Sequence, residues 1–133
     1  MIAESPALLI TDDDLEFRQT LRAVFEPKGF RTLLAGDGEE ALQIVRSQEV
    51  HLVLLDMNMP KLTGLETIRL VKQFKALLPC ILMSADLNEL VIEQARALHA
   101  FSVLPKPVTF RQLLRVVWQA LERTYNWHAE ERS

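Results

Sequence analysis

Four short apolar segments of the sequence are each followed by residues that can bind a cation or an anion. Asp12 and Asp13 come directly after one segment, and Asp56 follows another. Ser84 and Lys106 stand at the ends of two more. If the segments are strands of one parallel sheet, their carboxyl ends meet at one edge, where ligands bind in such proteins. We therefore expect these five side chains to form one site.

The residue types at this predicted site indicate phosphoryl transfer. Three carboxylates in one place repel each other, so the site needs a cation. No histidine or cysteine lies at metal-binding spacing, and a set of oxygen ligands favours a hard ion such as Mg²⁺ over zinc. Lys106 adds a second positive charge, and the Ser84 hydroxyl would face an anion held by both. The acceptor at hand is a carboxylate.

Each of these residues also has an ordinary structural explanation. Residues 12–14 could cap and charge a helix, because aspartate is favoured at helix amino termini. Asp56 could be a turn residue, Ser84 a helix cap and Lys106 an exposed loop charge. The four strand ends carry complementary groups in the right order, and this combination favours a functional site.

The rest of the sequence supplies the elements that would position the site. Five nearly continuous apolar runs, at 7–10, 30–35, 51–55, 80–83 and 101–104, are typical of parallel strands covered on both faces. Amphipathic helical patterns follow them, at 17–25, 39–46, 64–74, 87–98 and around 113–121. Because a closed barrel needs roughly 250 residues, we predict an open α/β sheet with helices on both faces.

The composition excludes several classes of protein. Fifteen basic against 18 acidic residues give a net charge of −3, which disfavours direct nucleic-acid binding and binding to an anionic membrane. A single cysteine and an amino terminus without signal-peptide features favour the cytoplasm. We expect one domain over residues 1–123 and a short tail over 124–133.

The segments LITDDD, VLLDMNMPKLTG, ILMSA and LPKPV resemble, in this order, the receiver domain of two-component response regulators. The resemblance covers residues 6 to about 122. It implies a flavodoxin-like (βα)5 three-layer sandwich with sheet order 2-1-3-4-5. It also implies a domain that takes a phosphoryl group from a sensor histidine kinase or phosphotransfer protein. Such a domain catalyses its own phosphorylation and dephosphorylation but is mainly a signalling switch.

The resemblance also assigns roles to single residues. Asp56 matches the phosphoacceptor, Ser84 the switch hydroxyl and Lys106 the phosphate-binding lysine. Pro107 matches a proline that follows this lysine through a cis bond.

The same resemblance implies a magnesium site and a rapid reset. Asp12, Asp13 and Asp56, with the backbone carbonyl of Asn58, would hold Mg²⁺. Asn58 and Asp86 match the two positions that admit or orient the hydrolytic water, and the pair is similar to that of fast-resetting chemotaxis regulators. We therefore expect a short-lived phosphorylated state.

Output is expected at the face formed by the fourth helix, the fifth strand and the fifth helix. Leu87, Leu90 and Val91, with Trp118, would give this face an apolar surface for a homodimer or a downstream protein partner. The sequence departs from the family at Val103, where an aromatic switch residue is usual. We expect Phe101 on the same sheet face as Val103.

Two rival interpretations are weaker. The segment 36–41 fits the dinucleotide-binding pattern G-x-G-x-x-A, but its acidic residues would repel a pyrophosphate at the helix amino terminus. A phosphatase with Asp56 as the nucleophile would need an acid where Asn58 stands. A complete single-domain regulator and a receiver fragment of a larger protein both remain open.

Overall fold

The computed structural model describes residues 5–129, in which five strands alternate with five helices. The strands are β1 Ala7–Thr11, β2 Arg31–Ala35, β3 Leu52–Asp56, β4 Cys80–Ser84 and β5 Ser102–Pro105. The helices are α1 Leu15–Phe25, α2 Gly38–Ser47, α3 Gly64–Phe74, α4 Glu89–Ala97 and α5 Phe110–Tyr125. All strands pair in parallel in the order β2-β1-β3-β4-β5, which confirms the predicted fold class. Within residues 5–129, no helix is long and apolar enough to cross a membrane.

Two hydrophobic cores lie on opposite faces of the sheet, because successive strand residues point to opposite sides. In β1, Leu8 and Ile10 face α1 and α5, while Leu9 faces α2, α3 and α4. The central strands β1, β3 and β4 are buried along their whole length. The nearly continuous apolar runs in the sequence therefore reflect helices packed on both faces.

Side-chain caps fix where the helices begin. Thr63 and Glu66 form a capping box at the start of α3, which runs over the predicted residues 64–74. Helix α4 begins at Glu89, later than the predicted residue 87, because the Asn88 side chain accepts a hydrogen bond from the Val91 amide.

The positions of Leu121 and Trp118 on α5 differ from those that the sequence predicts. A core stripe of residues 113, 117 and 120 predicts Leu121 at the edge of the helix, but Leu121 is fully buried and this prediction was wrong. Trp118 is half-buried, and its ring lies 5.2 Å from that of Phe30. Because Phe30 packs with Phe25 of α1, Trp118 covers the core beside α1 and does not lie on the output face.

The prediction that Phe101 and Val103 share a sheet face was also wrong. Val103 packs against the core of α2, α3 and α4, whereas Phe101 packs against the core of α1 and α5. Strand β5 begins only at Ser102, so the alternation of side chains does not extend back to Phe101. The Arg123 guanidinium lies 5.7 Å from the centroid of the Phe101 ring.

An aromatic cluster closes the end of the sheet opposite the strand carboxyl ends. His51 Nδ1 accepts a hydrogen bond from the Ala7 amide (2.9 Å), and the Tyr125 hydroxyl donates to the His51 carbonyl (2.8 Å). Trp127 stacks on Tyr125 at 4.5 Å and lies 4.7 Å from His51. Ordered packing thus continues past the boundary that we expected at residue 123, while residues 130–133 lie outside the described part of the chain.

We predict that His51 makes the stability of the domain depend on pH. Burial lowers the pKa of His51 below its usual value, the positive charges of Arg31 and Lys75 lower it further, and Glu49 opposes them. The unfolded chain therefore binds a proton more readily than the folded one, so stability should fall as pH drops below about 6.5. Protonation of Nδ1 also removes the acceptor for the Ala7 amide, at a cost on the order of 1 kcal/mol.

Urea unfolding at about pH 8 and about pH 5.5 measures this effect, on either side of the usual histidine pKa. His51→Asn is the matched variant, because the amide oxygen can accept the hydrogen bond but does not titrate. The loss of stability at low pH should be smaller in this variant. Equal losses in the two proteins would show that His51 does not carry the effect.

Candidate functional site

The register of the parallel strands brings the predicted site residues to one edge of the sheet. Asp12 directly follows β1, Asp56 ends β3 and Ser84 ends β4. Lys106 directly follows β5, and its amide donates a hydrogen bond to the Ser84 carbonyl (2.9 Å). All of these positions lie at the carboxyl ends of their strands, where an open α/β sheet binds ligands.

Lys106 lies between two carboxylates. Its Nζ is 3.0 Å from Oδ2 of Asp12 and 3.1 Å from Oδ1 of Asp56. Asp12 is 1% exposed and Asp56 is 7% exposed, so both charges are withdrawn from bulk water. At such burial an unpaired charge is costly, and the ammonium compensates two carboxylates at once.

The environment shifts the ionisation of this group of side chains. Burial raises the pKa of the Asp56 carboxyl, and the negative charges of Asp12 and Asp13 add to the increase, while the hydrogen bond from Lys106 opposes it. For Lys106, burial disfavours the charged form, but the hydrogen bonds and charges of Asp12 and Asp56 outweigh it and raise the pKa. The lysine therefore stays cationic, and the surroundings of Asp56 disfavour the ionised form of its carboxyl.

Asp12, Asp13 and Asp56 each place a carboxylate oxygen within 4.8 Å of the others. Asp13 is exposed, so the cluster opens to solvent on one side. Oxygen donors of this kind fit a hard divalent cation such as Mg²⁺, and the negative charge left over beside Lys106 would favour it. Asp14, by contrast, is the amino-terminal cap of α1, so the capping role falls to a residue outside the cluster.

The backbone next to Asp56 is packed tightly against the start of α3. The amide of Gly64 donates to the carbonyl of Met57 (2.8 Å). A Cβ on Gly64 would lie 2.6 Å from the carbonyl oxygen of Asp56, which real structures do not show. This close approach of two backbone segments explains why the residue at position 64 is glycine.

Two α1 residues, Arg18 and Phe17, contact the site, and no motif in the sequence points to either of them. Arg18 Nη1 donates to the backbone carbonyl of Asp12 (2.6 Å). The ring of Phe17 lies 4.6 Å from Lys106 Nζ, measured to the ring centroid. The helical spacing of Phe17 predicts only that its side chain faces the core. Nothing in the sequence indicates that it lies near Lys106.

The remaining predicted site residues lie in the connections that follow β3, β4 and β5. Asn58 and Asp86 are exposed, and the amide of Asp86 donates to the Ser84 Oγ (3.2 Å). The peptide bond between Lys106 and Pro107 is cis, as the family resemblance implied.

Val103 lies in a groove at the edge of the sheet. The groove has a volume of about 600 Å³ and lies between α4, β5 and α5. Arg96 and Arg123 line it with Phe101 and Ile92. The expected output surface therefore contains a cavity where the family usually places an aromatic side chain.

The dinucleotide interpretation of residues 36–41 finds no support in the geometry. Glu40 Oε1 accepts a hydrogen bond from the Gly36 amide (2.7 Å), and Asp37 caps α2 by accepting one from the Glu40 amide (2.8 Å). The hydrogen bond from the Glu40 amide lowers the pKa of the Asp37 carboxyl, and the charge of Lys61 lowers it further. Carboxylates of the chain itself occupy the place that a pyrophosphate would need.

Comparisons with known proteins agree with this geometry. The transcriptional regulatory protein CpxR of Escherichia coli is 32% identical over 126 residues, which cover 95% of this chain and 53% of CpxR. The chain thus spans about half the length of this relative. A receiver domain protein from Clostridium thermocellum is 28% identical with a TM-score of 0.84, over 89% of this chain and 95% of that one. A CheY-like receiver domain from Methanospirillum hungatei is 20% identical with a TM-score of 0.88, over 92% of this chain and 98% of that one, and supports the fold alone.

The model of one protein family, the response regulator receiver domain, matches residues 8–118. This match covers most of the chain, including both acidic residues after β1, the end of β3 and the lysine after β5. The chain therefore belongs to the family of response regulator receiver domains of two-component systems.

Proposed function

We propose that this receiver domain accepts a phosphoryl group on Asp56, with Mg²⁺ bound by the neighbouring acidic residues. The observation that carries the proposal is the position of Asp56, within reach of Asp12 and Asp13 on one side and of Lys106 on the other. Such a carboxylate is a nucleophile surrounded by the groups that phosphoryl transfer requires.

The chain supplies most of the chemistry by placing charges. The proposed donor is a phosphohistidine. A carboxylate oxygen of Asp56 forms the new bond to phosphorus, while the bond from phosphorus to the histidine nitrogen breaks and that nitrogen keeps the electron pair. Lys106 would bind an oxygen of the transferred group, and the Ser84 hydroxyl would donate to another. Mg²⁺, held by Asp12, Asp13, Asp56 and the Asn58 carbonyl, would neutralise negative charge on the reacting groups.

The donor that we propose is a phosphohistidine on a sensor histidine kinase or a phosphotransfer protein. The domain would promote its own phosphorylation and its own hydrolysis, and it would serve mainly as a switch. We also propose, from the composition of the sequence, that the protein acts in the cytoplasm. For the same reason we propose that this domain binds neither nucleic acid nor a membrane directly.

The first test concerns the acceptor. We expect acetyl phosphate and Mg²⁺ to label the wild-type protein and borohydride reduction to place the label on Asp56. Asp56→Ala should lose essentially all of it, because Asp56 stands at the position of the proposed acceptor, whereas Asp12, the other carboxylate beside Lys106, is only 1% exposed. Asp14→Asn is the matched control, since it changes a neighbouring acid that caps α1 outside the cluster.

Two results would contradict the assignment. One is labelling of Asp56→Ala at the wild-type level. The other is wild-type labelling that does not change when Mg²⁺ is removed by a chelator.

The second test concerns the lifetime of the phosphorylated state. Asn58 and Asp86 are exposed, each two positions after a strand end of the site, and we propose that the hydrolytic water enters beside them. Asn58→Arg should block that path and slow hydrolysis, by roughly tenfold if about 1.4 kcal/mol is added to the barrier. Asp86→Ala should remove an acceptor for the water and slow it less.

Decay of the isolated phosphoprotein measures both effects. Asp86→Asn serves as the control, because it keeps an acceptor oxygen at the same place. Wild-type-like decay in Asn58→Arg and Asp86→Ala would show that these positions do not control access of water.

We propose that output uses the face formed by α4, β5 and α5. Leu90 is 66% exposed, Ile92 is partly exposed, and the groove beside them is lined by Phe101 and Val103. Apolar surface of this kind favours contact with another protein or a second copy of the domain. The face begins next to Ser84, because the Ser84 carbonyl accepts a hydrogen bond from the Lys106 amide after β5.

The third test compares two exposed leucines. Light scattering in the presence of Mg²⁺ and beryllofluoride should detect a dimer in the wild type, and Leu90→Asp should remove it. Leu77→Asp is the matched control, because Leu77 is 84% exposed between α3 and β4 and lies away from the proposed face. A dimer that survives Leu90→Asp would contradict this face, and a monomer under all conditions would reject the homodimer in favour of a different protein partner.

A further inference from the structure

The Lys106 ammonium is held on three sides. Two of them are the carboxylates of Asp12 and Asp56, whose oxygens lie 3.0 and 3.1 Å from Nζ. The third is the face of the Phe17 ring, with Nζ 4.6 Å from the ring centroid. A cation at this distance is attracted by the negative face of an aromatic ring, most strongly where water is partly excluded. The Lys106 side chain is only 24% exposed, so this condition is met.

A divalent cation would compete with Lys106 for the two carboxylates but not for the Phe17 ring. Asp12 and Asp56 are also residues whose oxygens, with that of Asp13, could hold a divalent cation. Such a cation would draw on the same carboxylates and would repel the ammonium. A benzene ring offers no oxygen ligand to a hard cation, so the attraction between Phe17 and Lys106 is not shared in this way.

Phe17 is fixed on both sides. Its amide donates to Oδ1 of the helix cap Asp14 (3.3 Å), and its half-buried side chain packs against the core of α1 and α5. Lys106, in contrast, lies on the connection after β5 with a long flexible side chain. The ring is therefore the fixed partner and the ammonium the mobile one. A leucine could fill the same volume but would not provide the negative face of the ring.

We propose that Phe17 is a positioning residue, which keeps the Lys106 ammonium beside Asp56 when a divalent cation engages the carboxylates. The inference rests on the proposed function in one respect, that Lys106 binds an oxygen of the phosphoryl group. Phe17 itself touches no reacting atom and acts only through Lys106.

Nuclear magnetic resonance of the Lys106 ε-methylene in the whole chain tests the contact directly. Protons over the face of a ring resonate upfield, so we expect an upfield shift in the wild type that persists when Mg²⁺ is added. Phe17→Tyr keeps a ring and should keep the shift. Phe17→Leu should lose it, and added Mg²⁺ should then move the Lys106 signal further.

Phosphorylation supplies the second readout. With acetyl phosphate and Mg²⁺, Phe17→Leu should be roughly fivefold slower than the wild type, while Phe17→Tyr should be close to it. The loss should appear in the maximal rate at saturating Mg²⁺. Val24→Ala is the matched control, because Val24 packs against the same core from the same helix. Urea unfolding of every variant separates these effects from a loss of folded protein.

An upfield shift that disappears when Mg²⁺ is added to the wild type would overturn the proposal. Equal phosphorylation rates in the wild type and Phe17→Leu would overturn it as well. If the wild type takes up no phosphoryl group at all, the proposed function fails, and the Lys106 shift with and without Mg²⁺ still decides whether the ring holds the ammonium.

Discussion

The carboxylates of Asp12, Asp13 and Asp56 lie close together at the carboxyl edge of the sheet and repel one another. The surrounding structure has to compensate this repulsion. Asp12 and Asp56 end up almost inaccessible to water because the strands that carry them are covered on both faces. The Lys106 ammonium relieves part of the repulsion, and a bound divalent cation would relieve more. Gly64 packs closely against the Asp56 backbone, and Arg18 donates a hydrogen bond to the Asp12 carbonyl, so the backbones that carry both carboxylates make close contacts. This arrangement places the charges that the proposed binding of Mg²⁺ and a phosphoryl group requires.

The link between the site and the proposed output face is short. Ser84 ends the strand next to β5, and its carbonyl accepts a hydrogen bond from the Lys106 amide. A phosphoryl group that drew Ser84 and Lys106 towards it would therefore pull on both ends of this connection. Val103 has no aromatic ring that could change position as a switch residue. Phe101 packs against the opposite core.

The sequence predicted the strands to within a residue or two, since buried parallel strands are nearly continuous apolar runs bounded by charges or turns. It also predicted which side chains meet at the carboxyl edge of the sheet, because the order of strand ends determines this in a doubly wound sheet. Its errors arose where a periodic rule was extended too far. Phe101 lies outside β5, so strand alternation did not apply to it, and Leu121 lies closer to the core than the simple helical stripe suggested. The contact of Phe17 with Lys106 joins elements far apart in the chain, which no local pattern can show.

Both tryptophans of the chain pack on one side of the sheet. Trp118 rests on Phe30 beside α1, and Trp127 stacks on Tyr125 at the end of α5. The opposite core, under α2, α3 and α4, contains neither of them. Because indole emission responds to its immediate surroundings, the tryptophan fluorescence of this protein reports only on the side of the sheet that carries α1 and α5. A spectral change on activation would place movement in the half built from α1 and α5, and a constant spectrum would carry no information about the other half.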